Sequence, residues 1–125
     1  MSYRAKVRDT LLSDASVGAI VDTRIYALRA PQDAPTPYVL LSTVSHESIN
    51  TLAGRTGLET ARVRCDLYGP SYNELVGESG LVEAICAALD AATDFSALFV
   101  FGTELFEDDT KLYHVVLDFS VWHDR

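Results

Sequence analysis

Side chains that could support catalysis or bind a metal are few and scattered along the sequence. The His-Glu pair at 46–47 and the His-Asp pair at 123–124 are neighbours that point to opposite sides of an extended chain. His114 and Asp118 share one strand face, but four residues of strand separate them by about 13 Å. Nucleophile-elbow, phosphate-loop and His-Glu-x-x-His motifs do not occur in the sequence. The sequence therefore predicts no enzymatic activity and no cofactor or metal.

Two further groups of potential metal ligands have simpler explanations. Acidic residues gather near the end of the chain at Glu104, Glu107, Asp108 and Asp109. They lack the spacing of a calcium-binding loop, so we interpret them as solvated charges at a turn. The cysteines, Cys65 and Cys86, have no metal-ligand spacing and are predicted to be small buried residues in a reducing compartment.

The clearest structural pattern lies between Pro37 and Pro70. Its second half alternates in polarity, with Ala61, Val63, Cys65 and Leu67 on one side and Arg62, Arg64, Asp66 and Tyr68 on the other. A period of two predicts a strand with one core face. The segment 46–58 is too long for a tight turn, so we predict an antiparallel hairpin with a projecting, mobile loop there. Ordering such a loop costs entropy, which favours a partner that binds it.

Helical and strand patterns account for the rest of the chain. Helices are predicted at 2–12 and at 14–21, the second capped by Asp14, followed by a short strand at 24–28 and a proline-rich connector. Ser71 and Glu74 form a capping box that begins one helix running to about residue 91, with Gly77 and Gly80 inside it. Strands at 97–106 and 111–122 form a final hairpin, in which Leu98 and Val100 are predicted to face one way and Phe99 and Phe101 the other.

The final hairpin is apolar on both faces, which suggests that a second copy of the chain covers one of them. The predicted fold is α+β: a small, mainly antiparallel sheet of about four strands, with N-terminal helices and one long helix packed on it. At 125 residues the chain is expected to form a single domain, 1–125.

The charge is unevenly distributed along the chain. The net charge is −8, but residues 1–64 carry eight basic and six acidic side chains whereas residues 65–125 carry two and twelve. A nucleic-acid-binding protein would normally show a basic patch, so this function is disfavoured. No apolar run is long enough to span a membrane, and the first residues lack a secretion signal. The asymmetry leaves open either a solvated acidic surface or contact between the basic part of one copy and the acidic part of the next.

The order of several short motifs resembles the tail-completion proteins of long-tailed bacteriophages. The motifs are Arg-Ile-Tyr at 24–26, Ala-Pro at 30–31, Pro-Tyr-Val at 37–39, Gly-Leu-Glu-Thr-Ala-Arg-Val-Arg-Cys-Asp-Leu-Tyr at 57–68, Tyr72, and Val-Glu-Ala-Ile-Cys-Ala-Ala-Leu at 82–89. The resemblance covers residues 8–122, and no single motif is diagnostic. Gly77 and Gly80 depart from the alanine-rich helix that the family pattern leads us to expect.

This resemblance implies a structural virion protein, a tail terminator that forms a ring, typically a hexamer, on the end of the tail tube. Such a ring ends tail elongation and joins the tail to the head. The implied partners are further copies of the chain, the tail tube protein and a head-closure or neck protein, with DNA only passing through the channel and no membrane. The implied location is the virion tail or neck, after assembly in the host cytoplasm. Prophages and gene transfer agents contain related proteins.

Two alternatives remain open at this point. A head-closure protein of the neck would bind the portal side instead of capping tail tubes. A non-viral, monomeric ligand-binding domain would need a concave apolar pocket with converging polar groups.

Contacts with other subunits or with the tail tube are expected at charged and loop positions. The candidates are Arg62, Arg64, Arg55, Thr56, Glu107, Asp108 and Asp109. Arg62 and Arg64 point away from the predicted core, although Asp66 and Tyr68 on the same face could satisfy part of their charge. Reversing both arginine charges is therefore expected to weaken ring assembly without unfolding the chain.

Overall fold

A computed structural model describes residues 3–51, 54–93 and 95–124 of the chain. These residues form four helices and five strands: α1 (Tyr3–Ser13), α2 (Ala15–Val21), β1 (Ile25–Ala27), β2 (Tyr38–Thr51), β3 (Gly54–Gly69), α3 (Tyr72–Val76), α4 (Leu81–Asp90), β4 (Ser96–Glu107) and β5 (Leu112–Asp124). The α+β prediction is confirmed, with one more strand in the sheet than expected. Among the described residues, no helix is long and apolar enough to cross a membrane.

The strands form one sheet in the order β1-β2-β3-β5-β4. Neighbouring strands are antiparallel except for β1, which runs parallel to β2. The central strand β3 pairs along nearly its whole length with both β2 and β5, which places Cys65 between Leu41 and Leu117. The sheet therefore has two different edges, a three-residue strand at one side and a twelve-residue strand at the other.

The predicted loop at 46–58 is wrong, because strand pairing continues almost to the tip of the hairpin. Glu47 pairs with Thr60, and Thr51 pairs with Gly54. Residues 52 and 53 lie outside the described part of the chain. Two irregularities, between Thr43 and Ser45 and between Ser48 and Asn50, shift the register of β2. Such bulges break the alternation on which a sequence-based strand assignment depends.

The single long helix predicted after Ser71 is also wrong, since Gly77 and Gly80 divide it into α3 and α4. Ser71 does cap the first part, where its hydroxyl accepts a hydrogen bond from the Glu74 amide at 3.3 Å. A Cβ at Gly77 would lie 2.5 Å from the Asn73 carbonyl oxygen, and one at Gly80 would lie 2.9 Å from the backbone of residues 75 and 77. The close approach of the backbone explains both glycines.

The helices and one face of the sheet share a single apolar core. It contains Tyr3, Val7 and Leu11 of α1, Val17 and Val21 of α2, Leu75 of α3, Leu81, Ile85 and Leu89 of α4, Ala61, Val63, Cys65 and Leu67 of β3, and Val115, Leu117, Phe119 and Val121 of β5. Asp14 caps α2 as predicted, accepting a hydrogen bond from the Val17 amide at 3.0 Å. Cys65 is fully buried, which raises the pKa of its thiol, whereas Cys86 is only partly buried, contrary to the prediction.

We expect Gly80→Ala to lower the free energy of unfolding by about 1–3 kcal/mol, because the added methyl group would overlap three backbone atoms. Gly18→Ala is the matched control: nothing lies within 4 Å of its Cβ position in α2, so the free energy should rise by about 0.5–1 kcal/mol. Urea denaturation of both variants measures the difference. Equal stability of Gly80→Ala and the parent would contradict the close approach.

Candidate assembly surface

The face of the sheet opposite the helices carries polar side chains that face each other across the strands. Arg64 lies directly opposite Asp118 of β5. Two residues further along β3, Asp66 lies opposite Val116 on the same face. Residues directly opposite each other on antiparallel strands have Cβ atoms close enough for their side chains to interact. The register of β3 against β5 therefore decides which charges meet on this outer face.

Asp118 is the centre of the charged network, and it is only 2% exposed. Arg64 donates to it with two nitrogens, Nε at 2.8 Å and the terminal nitrogen at 3.1 Å. The Arg62 Nε lies 3.4 Å from the same carboxylate without forming a hydrogen bond. The hydrogen bond to Asp118 raises the pKa of Arg64, so this guanidinium stays charged over the physiological range.

A second group on the same face combines a charge pair with stacked rings. Asp66 Oδ1 lies 2.8 Å from His114 Nε2. The imidazole of His114 stacks on Tyr68, which in turn stacks on Tyr38, with ring centroids 4.2 and 5.2 Å apart. Burial and the nearby carboxylates raise the pKa of Tyr68 to about 12. The polar groups of this face are thus largely matched to one another within the subunit.

This network changes the expectation for Arg62 and Arg64. Both arginines contact the carboxylate of Asp118, and reversing both charges would place two carboxylates beside this buried one. We therefore expect the double reversal to destabilise the fold, which replaces the expectation drawn from the sequence. Both side chains remain 39% exposed, so a contact of either with another subunit stays a prediction.

The edge strand β4 exposes several large apolar side chains, which together we call the β4 stripe. Its members are Leu98, Phe99, Val100, Phe101, Leu105 and Phe106, each 46–62% exposed. Exposed apolar residues scattered singly are ordinary, but six on one edge strand form a patch typical of an interaction surface. The free edge of the strand also offers unpaired backbone donors and acceptors to a partner.

A bulge in β4 corrects the predicted orientation of its aromatic residues. Phe99 pairs with Phe119 and Phe101 with Asp118, so one additional residue, Val100, is inserted between them. Phe99 therefore lies on the helix side of the sheet, where its ring contacts Phe119 edge-on at 5.6 Å, and Phe101 lies on the outer face. The bulge spreads the β4 stripe over both faces of this edge.

The remaining predicted contact residues lie at opposite ends of the sheet. Glu107 ends β4, and Asp108 and Asp109 form an exposed turn before β5, as predicted. The Glu107 carboxylate accepts a hydrogen bond from the Thr110 hydroxyl at 3.1 Å. Arg55 and Thr56 belong to β3, where Arg55 pairs with Asn50, but their side chains lie outside the described part. The structure therefore does not bring the candidates together into one site.

Three residues that are distant in the sequence lie close together in the structure. His46, Glu59 and His123 approach one another at the hairpin end of the core face. The sequence could have placed two of them on the core face. Glu59 lies two residues before Ala61 on β3, and His123 lies two residues after Val121 on β5, so each shares the face of that buried residue. His46 could not be found in this way, since the bulge after Thr43 reverses its side.

A groove of about 540 Å³ lies between α1 and the β1–β2 side of the sheet. Val7, Leu41 and Val63 contribute to its lining, together with polar groups. The Tyr3 hydroxyl is hydrogen-bonded to Thr43 at 2.8 Å across this region. These two polar groups are satisfied by each other instead of converging on a ligand position, which does not favour the ligand-binding alternative.

Comparisons with known proteins identify a sequence family and a similar fold. Residues 5–124 match the sequence model of the family described as "Tail completion protein gp17". A comparison with curated proteins finds no match. Among solved structures, a chain of the "Virion of native gene transfer agent (GTA) particle" has a similar fold, with a TM-score of 0.65 and 16% identity over 95% of this chain and 92% of that one.

We expect Arg64→Met to lower the free energy of unfolding by about 1–2 kcal/mol, because it removes two charged hydrogen bonds from a buried carboxylate while solvent and Arg62 offset part of the loss. Arg29→Met is the control, since Arg29 is exposed in the connector and should change stability by less than about 0.5 kcal/mol. Urea denaturation provides both values. A parent-like stability of Arg64→Met would show that Asp118 does not depend on this arginine.

Proposed function

The chain belongs to the tail completion protein gp17 family of structural phage proteins, and we propose that it caps the phage tail tube as a hexameric ring. In this role it ends tail elongation and joins the tail to the head through a head-closure protein. The protein would therefore reside in the tail or neck of the virion, after assembly in the host cytoplasm. The similar fold of a chain in a gene transfer agent virion supports a place in such a particle.

The observation that carries this proposal is the β4 stripe. Exposed large apolar side chains occupy half of one twelve-residue edge strand in a chain whose net charge is −8. Leaving this surface in water costs free energy in proportion to its apolar area, and an unpaired edge invites association with another chain. A ring in which each subunit covers the β4 stripe of its neighbour would remove this apolar surface from water and would pair the free strand edge.

The two unlike edges of the sheet suit a ring rather than a two-fold dimer. The β4 edge ends at the acidic turn of Glu107, Asp108 and Asp109, whereas the β1 edge belongs to the half of the chain with a net positive charge. Contact between different patches on successive copies generates closed rings when the rotation closes. Arg55 and Thr56 near the hairpin tip, and the exposed parts of Arg62 and Arg64, remain proposed contacts to a neighbour or the tail tube.

The acidic surplus is compatible with a channel for DNA. Negative side chains facing a passage repel phosphates, so that DNA passes without binding. A head-closure protein would use a similar ring, and the two functions differ in the structure to which the ring binds. Binding of the chain to tail tubes or to portal complexes distinguishes these two functions.

We expect the purified chain to bind the ends of preformed tail tubes and to stop their elongation when it is added to polymerising tube protein. Electron microscopy measures the length distribution of the tubes and the density at their ends. A narrow length distribution with capped ends supports the terminator role. Unchanged tube growth, combined with binding of the same chain to portal complexes, would instead identify a head-closure protein.

We expect the double variant Leu98→Ser and Leu105→Ser to assemble at least about tenfold less readily than the parent, because two exposed apolar side chains leave the β4 stripe. Val44→Ser is the matched control, since Val44 is half exposed on β2, away from this edge. Sedimentation velocity over a range of concentrations measures assembly. Parent-like assembly of the double variant, or an equal loss in Val44→Ser, would remove the stripe from the interface.

A further inference from the structure

We propose that His46, Glu59 and His123 form a binding site for one transition-metal ion of the Zn²⁺ class. The three residues come from β2, β3 and β5, and Glu59 is the direct cross-strand partner of His123. One imidazole nitrogen of each histidine and one carboxylate oxygen all lie within 4.8 Å of one another. The sheet itself therefore gathers the three ligands from distant parts of the sequence.

The ligand types select the class of ion. Two imidazoles and one carboxylate are a known set of protein ligands for zinc, in which a water molecule takes the fourth position. Nitrogen-rich sites favour zinc, nickel and copper, whereas magnesium and calcium prefer sites made of oxygen ligands alone. The expected occupant is thus a borderline divalent transition metal.

The geometry requires only a local adjustment of side chains. His46 Nε2 lies 2.6 Å from Glu59 Oε2. Ligand atoms around a tetrahedral zinc ion are separated by roughly 3.4 Å, given bonds of about 2.0–2.1 Å. The His46–Glu59 contact must therefore open by less than about 1 Å, and separations of up to 4.8 Å must close by at most about 1.4 Å. The proposal requires small side-chain movements of this size within the existing strand pairing.

Burial provides a reason for an ion at this point. Glu59 is 5% and His123 6% exposed, so a carboxylate is held at the end of an apolar core. A divalent cation bound at this position would interact strongly with the carboxylate, because burial removes competing water. The His46 side chain is 37% exposed and provides the route from solvent. The ring of Tyr3 stacks on His123 at 4.3 Å and lies 5.2 Å from His46, which restricts how both imidazoles can turn.

The ion would have a structural role that is independent of the proposed tail function. It would join the hairpin of β2 and β3 to the end of β5, beside the first residue of α1. Because it binds the folded chain and not the unfolded one, it would raise thermal stability in proportion to the logarithm of its concentration.

The test uses the tag-free chain, stripped with a chelator and titrated with Co²⁺ as a spectroscopic probe and with Zn²⁺ by calorimetry. We expect one ion per chain, the strong visible absorption of four-coordinate Co²⁺, and no thiolate charge-transfer band. His46→Ala should weaken binding at least about tenfold, and Zn²⁺ should raise the melting temperature of the parent but not of this variant. The control is His114→Ala, because His114 lies on the outer face beside Asp66.

Glu59→Gln is a second ligand variant, because glutamine has nearly the same shape as glutamate but no negative charge. It keeps the proposal testable if His46→Ala impairs folding. Its affinity should fall as that of His46→Ala does, while His114→Ala keeps the affinity of the parent. Absence of stoichiometric binding, a thiolate band, or loss of affinity in His114→Ala alone would overturn the proposal and leave His46 and Glu59 as a hydrogen-bonded pair.

Discussion

The register between β3 and β5 is the constraint on which the rest of this structure depends. It places Ala61, Val63 and Cys65 opposite core residues of β5 and, in the same step, sets Arg64 opposite Asp118 on the other face. Because side chains alternate with a period of two, a slip of one residue would turn Asp118 towards the core and the apolar residues towards solvent. The ion pair between Arg64 and the buried Asp118 therefore favours the same register as the apolar core.

That register also separates the charged outer face of the central strands from the apolar edge of the sheet. β3 and β5 occupy the middle of the sheet, so their charges are matched within the subunit, while β4 remains at the edge with its apolar side chains exposed. A subunit that satisfies its central charges internally and leaves an apolar edge open is suited to association through that edge. The tail completion family to which the chain belongs supplies the biological context for such association.

Much of this architecture could be predicted from local patterns in the sequence. The alternation at Ala61–Leu67, the cap at Asp14 and the paired final strands each depend on neighbouring residues, and each is present in the structure. The errors in element boundaries and in strand faces come from backbone irregularity. The bulges in β2 and β4 reverse the side on which later residues lie, and the glycines at 77 and 80 interrupt a pattern that otherwise resembles one helix. Asp118 and His46 were missed because their partners lie on other strands.

The central claim is that a neighbouring molecule covers the free edge of β4 in the assembled state. Hydrogen exchange of the β4 amides, compared between the dilute free chain and the chain assembled on tail tubes, tests it most directly. Amides that point away from β5 should exchange rapidly in the free chain and at least about tenfold more slowly after assembly, because a partner then excludes water from them. Equal exchange of these amides in both states, in a preparation that does assemble, would show that the interface lies elsewhere.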